Sequence, residues 1–160
     1  MRILALDVGE RRIGLAISDP DGLVAVPLET LERRDEDADL RALADLVERE
    51  GVQVVVVGLP LSLDGSVGPQ AERTQAFARR LAEAVPRPLE MWDERLSTVA
   101  AERALAPPGP SGRRERHLLR AGERRRAPER RQGARDALAA TLILQAYLDS
   151  RRRPPASAQE

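Results

Sequence analysis

Residues 2–7 (RILALD) form a short apolar run that closes on a carboxylate. At a strand's period of two, Ile3 and Ala5 share the face of Asp7, while Leu4 and Leu6 take the other face. Apolar residues on both faces predict a central strand. A turn at 8–12 leads to a second run at 13–18 (IGLAIS). Asp19-Pro20-Asp21-Gly22 is a strong turn signal before a third run at 23–27. Two short turns in succession predict an antiparallel meander.

The period then changes. Leu40, Leu43, Leu46 and Val47 recur at helical spacing, with Asp35 or Asp37 as N-cap and Gly51 as the stop. Residues 52–57 (VQVVVV) read as a strand buried on both faces, and 58–68 as a loop. Pro69 suits the first turn of a helix to 85 that aligns Thr74, Phe77, Leu81 and Val85. A fifth strand at 89–92 enters Asp93-Glu94-Arg95, and Ser97 or Thr98 is placed to cap a short helix to about 106. Pro107-Pro108-Gly109-Pro110 breaks the chain, and an arginine block without clean period follows. The last helix is expected at 134–149, apolar nearly all round at 137–144 and so well buried. The expected fold is α/β: a mixed five-stranded sheet, three antiparallel strands then two parallel, with helices on both faces. The expected organisation is one domain at 1–150, carrying a basic Pro/Arg-rich loop at about 107–132, and a flexible tail at 151–160.

A chain of 160 residues suits a single domain. Cysteine is absent and His117 is the one histidine. Disulfides, thiolate chemistry and Cys- or His-cluster zinc sites are thereby excluded. No apolar run reaches the roughly 18 residues of a membrane span, and the N-terminus lacks a signal-peptide layout. A soluble cytoplasmic protein is expected. Formal net charge is zero, but unevenly spread, and every basic residue is arginine. Residues 1–112 hold 13 Arg against 20 acids (−7), whereas 113–135 hold 10 Arg against 3 acids (+7). A positive block of this size suits a polyanion, and a solvated loop is the plain alternative.

Three acids stand out. Asp7 ends a buried strand and is followed by Gly9 and Gly14. A carboxylate there needs a cation or donors nearby, though it could simply cap the turn. Glu94, beside Asp93 and Arg95, lies where the fifth strand ends. Crossover sheets build sites at the carboxyl ends of their parallel strands, so Asp7 and Glu94 are expected at one edge. Asp136 falls near the start of the expected last helix, where the helix dipole alone would favour an acid. Three carboxylates without His or Cys form a hard oxygen donor set that matches Mg²⁺ or Mn²⁺.

These residues also carry a resemblance. Leu6-Asp7-Val8-Gly9 with Arg12-Ile13-Gly14, Val56-Val57-Gly58-Leu59-Pro60-Leu61 with Asp64-Gly65, Asp93-Glu94-Arg95-Leu96-Ser97-Thr98, and Asp136 before an alanine-rich helix are similar to the motifs of the YqgF/RuvX family. The likeness covers about 1–106 and 133–149. It implies an RNase H-like fold related to the RuvC Holliday junction resolvase. It also implies a bacterial nuclease that matures the 5′ end of 16S rRNA, with Holliday junction resolution as the alternative. By position, Asp7, Glu94 and Asp136 would be the catalytic metal-binding carboxylates, with Glu129 as the alternative third ligand. Arg95 would sit beside them, within reach of phosphate. The chain departs from the family at 107–132, which is longer here and lacks lysine.

The implied chemistry is hydrolysis of a phosphodiester assisted by a pair of Mg²⁺ or Mn²⁺ ions, leaving a 5′-phosphate. Arg113, Arg114, Arg124, Arg125, Arg126, Arg130 and Arg131 would hold the backbone of a structured RNA or branched DNA. With three aromatic residues in the chain, recognition is expected to rest on backbone and shape. A homodimer is among the expected assemblies, and no membrane partner is expected. Two other readings share these residues. One is a nucleic-acid-binding module with a dead site. The other is an actin-like kinase or ATPase half, since Asp7-Val8-Gly9 before a hairpin also opens such phosphate loops. That fold needs two domains to enclose ATP, and this chain supplies one.

Overall fold

The apolar alternation at the N-terminus splits the core in two. In a computed structural model, which describes residues 1–97 and 126–152, β1 (Ile3–Val8) is the middle of a six-stranded mixed sheet. β2 (Arg12–Ser18) pairs with it antiparallel, and β3 (Ala25–Pro27) and β4 (Leu31–Glu32) both pair antiparallel with β2. On the other side of β1, β5 (Val54–Leu59) and β6 (Leu89–Asp93) run parallel to it and to each other. The order is β3-β2-β1-β5-β6, the expected meander followed by two crossovers.

Leu4, Leu6, Val55 and Val57 face α1 (Glu36–Glu50) and α2 (Pro69–Ala84), which contribute Leu40, Leu43, Val47, Phe77 and Leu81. Ile3, Ala5, Ala16, Val54 and Val56 face α3 (Arg126–Arg152), which supplies Ala139, Ala140, Ile143, Leu144, Tyr147 and Leu148. Helices therefore cover both faces. α1 starts on Asp35, whose carboxylate accepts the Ala38 amide at 2.8 Å, and ends at Gly51 in the left-handed region (φ 65°). α2 begins with Pro69, where a missing N–H leaves no bond unmade.

Several boundaries differ from those the sequence predicts. The run at 23–27 yields a strand only from Ala25, because the Asp19 carboxylate captures the Leu23 and Val24 amides and prolongs the turn. β4, which the apolar pattern does not predict, lies where Leu31 pairs with Ile13. The short helix expected to 106 lies outside the described residues past Ser97; a 3₁₀ turn at Glu94–Leu96 precedes it. Ser97 closes this turn, its hydroxyl donating to the Glu94 carbonyl at 2.7 Å. α3 starts at Arg126, eight residues before the expected 134, and continues to Arg152. Leu138, expected in the core, is exposed, since one side of even an alanine-rich helix faces away from the sheet. Leu144, by contrast, is fully buried between α3 and the sheet. Leu144→Ala is expected to cost about 2–5 kcal/mol of folding free energy in a denaturant titration, through reduced burial and the cavity left behind.

Candidate active site

Asp7 and Gly14 are directly paired across β1 and β2. On the other side of β1, the parallel register runs from Ile3–Val54 to Leu6–Val57, and its next step sets Gly58 beside Asp7. Gly58 in turn pairs with Trp92. Paired residues in a sheet point to the same face, so Asp7 sits in one row between two glycines, on the side that α3 covers. Each glycine makes room for a neighbour. A Cβ at Gly14 would stand 2.0 Å from the Asp136 carbonyl oxygen. A Cβ at Gly58 would stand 2.9 Å from Glu94 Oε1 and 2.7 Å from Ile143 Cδ1. The missing side chains let α3 approach Asp7 from one side and Glu94 from the other. The edge expected from the topology is the one observed: Asp7, Gly58 and Glu94 lie at or just past the carboxyl ends of β1, β5 and β6.

Glu94 is 6% exposed. Its backbone is held by the 3₁₀ turn, where Asp93 accepts the Arg95 amide at 2.9 Å and the Ser97 amide donates to the Glu94 carbonyl at 3.1 Å. Asp136 lies in α3, half-buried, and its backbone packs on Gly14. Ten residues separate it from the first residue of the helix, so the dipole argument for an acid near a helix start does not apply to it. Glu129 precedes Asp136 by two turns, about 10 Å along the axis. Among the described residues, no three acidic, His or Cys side chains are drawn in around a single point.

The turn after Asp7 is braced within its motif and by Gln70, Arg33 and Asp39, which no sequence motif marks. The Gly9 amide donates to the Arg12 carbonyl at 2.9 Å, and the Gln70 side chain donates to the Val8 carbonyl at 3.1 Å. Arg33 donates to the Gly9 carbonyl at 2.9 Å, pairs with the buried Asp39 at 3.3 Å, and stacks on Phe77 at 5.0 Å. Asp39 could have been found as an acid on the core side of α1, next to Leu40 and four residues before Leu43.

Arg95 lies beside Glu94 in sequence, but its guanidinium faces the other way, toward Asp93. Nε and Nη2 reach the Asp93 carboxylate at 2.7–3.1 Å, and Nη1 donates to the Leu63 carbonyl at 3.4 Å. Arg126, Arg130 and Arg131 lie on the first turns of α3, whereas Arg113, Arg114, Arg124 and Arg125 lie outside the described residues. The aromatic rings are turned inward: Phe77 and Tyr147 are buried, and Trp92 packs edge-on to Tyr147 at 5.7 Å.

Two solved structures share this architecture along nearly the whole chain. RuvC of Thermus thermophilus in complex with a Holliday junction substrate is 15% identical, with a TM-score of 0.54 over 94% of this chain and 95% of that one. Fowlpox virus resolvase with Holliday junction DNA is 11% identical, with a TM-score of 0.52 over 96% and 100%. The fold is therefore that of the RNase H-like nucleases. The model of the RuvX family, described as Holliday junction resolvase, matches residues 1–121. A Moorella thermoacetica protein is 48% identical over 149 residues, 93% of this chain and 95% of its own. A Symbiobacterium thermophilum protein is 45% identical over 158 residues, 98% and 99%. Both carry the name "Putative pre-16S rRNA nuclease". The chain belongs to the RuvX family, and it is a nuclease.

The two glycines make separable predictions. Gly14→Ala sets a methyl group against helix backbone, and a loss of about 1–3 kcal/mol or more is expected in thermal melts. Gly58→Ala meets only side chains, which can move. Its melt should change less, while displacement of Glu94 lowers the cleavage rate. Asp93 supplies a pH prediction. Hydrogen bonds from the Arg95 guanidinium hold its carboxyl below the ordinary 3.8, although partial burial pulls the other way. A depressed folded value means the pair stabilises above about pH 4, and the contribution fades as pH falls through that lower value. The stability difference between the parent and Asp93→Asn should therefore shrink in acid unfolding curves below pH 4.

Proposed function

We propose that this chain is a Mg²⁺- or Mn²⁺-dependent endonuclease that matures the 5′ end of precursor 16S rRNA in the cytoplasm. The observation that carries the reading is the glycine-cleared row around Asp7, with Glu94 on one side and Asp136 on the other. Three carboxylate-bearing residues brought together at the carboxyl edge of the sheet suit a hard cation and an incoming phosphate. The name borne by relatives 40–48% identical supports the substrate. No helix among the described residues is long and apolar enough to cross a membrane.

The donor set fits the ions, since every candidate ligand is a carboxylate. Asp7, Glu94 and Asp136 would hold a pair of them. Mutual repulsion opposes the closing of three carboxylates on one point, and a cation between them offsets it. Bound divalent ions supply Lewis acidity at the phosphoryl oxygens and a more acidic water. The protein's own part is positional. Asp7 is fixed by the register of a central strand, Glu94 by its capped turn, and Asp136 by the packing of α3 on Gly14. Arg113, Arg114, Arg124, Arg125, Arg126, Arg130 and Arg131 would hold the phosphate backbone, because the acidic remainder of the chain repels it. Arg95 would reach phosphate only by leaving Asp93.

The family's description favours one second reading, resolution of four-way DNA junctions. Single-turnover cleavage of a 16S precursor and of a four-way junction in Mn²⁺ separates the two, and the precursor is expected to be cut faster. Chelator should abolish cleavage, and added Mn²⁺ should restore it. Undiminished cutting by metal-free protein would overturn the mechanism. Asp7→Asn should lower the rate by orders of magnitude while keeping binding and the melting transition. A folded Asp7→Asn protein that cuts at the parental rate would remove Asp7 from the site. A dead binding module would show no cleavage by the parent.

The arginine block has its own test. Changing Arg124, Arg125 and Arg126 together to Ala should weaken binding across sequences. The slope of log affinity against log salt should also become shallower, by roughly one for each phosphate that is no longer held. Unchanged binding would leave the block a solvated segment.

A further inference from the structure

Leu63 is 93% exposed, the most exposed large apolar side chain among the described residues. Single exposed leucines are ordinary on protein surfaces, so exposure alone says little. The setting of this one is not ordinary. It stands on the loop that leaves β5 just past Gly58, and that loop is tightly held. The Ser62 amide donates to the Ser66 carbonyl at 3.0 Å, and the Gly65 amide donates to the Ser62 carbonyl at 2.8 Å. The Ser66 amide and hydroxyl both donate to Asp64 Oδ1, at 2.9 and 2.6 Å. Gly65 turns the chain through a positive φ of 84°. Arg95 Nη1 lies 3.2 Å from where a Gly65 Cβ would be, and the same atom donates to the Leu63 carbonyl. Since Arg95 is itself clamped by Asp93, the loop is tied to the residue that follows Glu94.

The next residue after Arg95 is Leu96, 68% exposed. Two exposed aliphatic residues are thus linked to Arg95, Leu63 through its carbonyl and Leu96 as the next residue of the 3₁₀ turn that carries Glu94. The aromatic rings that could meet a base face are turned into the core. Where proteins insert side chains between base steps, aliphatic wedges are among those used, and a rigid mount lets the wedge unstack a step rather than yield to it.

We propose that Leu63, backed by Leu96, is a wedge that parts neighbouring bases at the scissile step, with Arg95 as the strut that holds it there. This rests on the nuclease reading above. It assigns Arg95 to positioning the loop, and it gives a chain without exposed aromatic rings a means of sensing how readily a helix opens. The expected preference is for nucleic acid that unstacks easily, as at helix junctions and mismatches.

The experiment uses the full chain in Mn²⁺ with a base-paired RNA, its DNA counterpart, and versions of each carrying an abasic site at the scissile step. Leu63→Ser should slow single-turnover cleavage of the paired substrate by roughly ten- to a hundredfold, the scale of a missing unstacking contribution. Binding should change little, and on the abasic substrate the rate should return close to the parental one. The RNA and DNA arms show which nucleic acid is opened. 2-Aminopurine at the scissile step, read in the cleavage-silent Asp7→Asn background, should brighten on binding, and should not when Leu63→Ser is added. Leu63→Met should behave as the parent. If Leu63→Ser fails to fold, Leu96→Ser carries the same comparison.

Equal rates for the parent and Leu63→Ser on paired substrate would overturn the wedge and leave the patch to a protein contact. Equal slowing on paired and abasic substrates would also overturn it, pointing to distortion of the site. A parent that cuts nothing but brightens 2-aminopurine through Leu63 would overturn the nuclease reading and leave the wedge standing.

Discussion

The contact between α3 and β2 at Gly14 is the constraint on which the site depends. Helix backbone and sheet backbone are normally kept apart by side chains. Here the Asp136 carbonyl comes within 2.0 Å of where a Cβ of Gly14 would stand, so only glycine permits the approach. Ala5 and Ala16 beneath α3, and Ala139 and Ala140 on it, extend the same close packing. Asp136 is carried toward Asp7 by this packing and not by any local signal around it. Gly58 does the corresponding work on the other side, where its bare backbone admits Glu94 and Ile143. A site assembled this way is part of the core's packing. Changes that loosen α3 should reach the carboxylates without touching them.

The opposite layer braces the same edge. Arg33 joins Asp39 on α1, Phe77 on α2 and the Gly9 carbonyl of the β1–β2 turn. Gln70 adds a bond from α2 to the last residue of β1. Both reach the two residues that follow Asp7. An isolated buried charge would destabilise the fold, but Asp39 also accepts the Arg34 amide at 3.1 Å, so its oxygens are satisfied. The position of Asp7 is therefore held by both helical layers, although its side chain belongs to the α3 face alone.

Charge sets a further constraint. An acidic body with a carboxylate edge repels the polyanion that a nuclease must bind. The arginine-rich stretch at 113–135 reverses that field within one segment of chain, and α3 begins inside it. Guanidinium groups suit the task, because they stay charged and match phosphate in two-point contacts. Arg95 shows that not every arginine near the edge serves this purpose. Its charge is already matched by Asp93, and its geometric effect falls on the Leu63 loop.

The strand meander, the two crossovers, an N-cap at Asp35 or Asp37 and the stop at Gly51 were legible from the amino-acid order, because each follows from period or from local backbone chemistry; the structure chose Asp35. So was the edge that carries Asp7 and Glu94, since parallel strands emerge on one side. The start of α3 was not, because Pro107–Pro110 and an aperiodic run of arginines mask a helix that packing completes. The role of Gly14 and Gly58 was not legible either: a glycine in a strand is a weak mark until its neighbours in space are known. Arg33, Arg95 and Leu63 depend on contacts across 6 to 44 residues of chain, which no local pattern encodes. What the sequence determined by itself was the set of elements and the chemistry of the candidate ligands, both properties of short windows. Tertiary structure alone decided which backbone stands against which missing side chain. That depends on the distance between a helix and a sheet, and this distance is settled only when all the layers pack together.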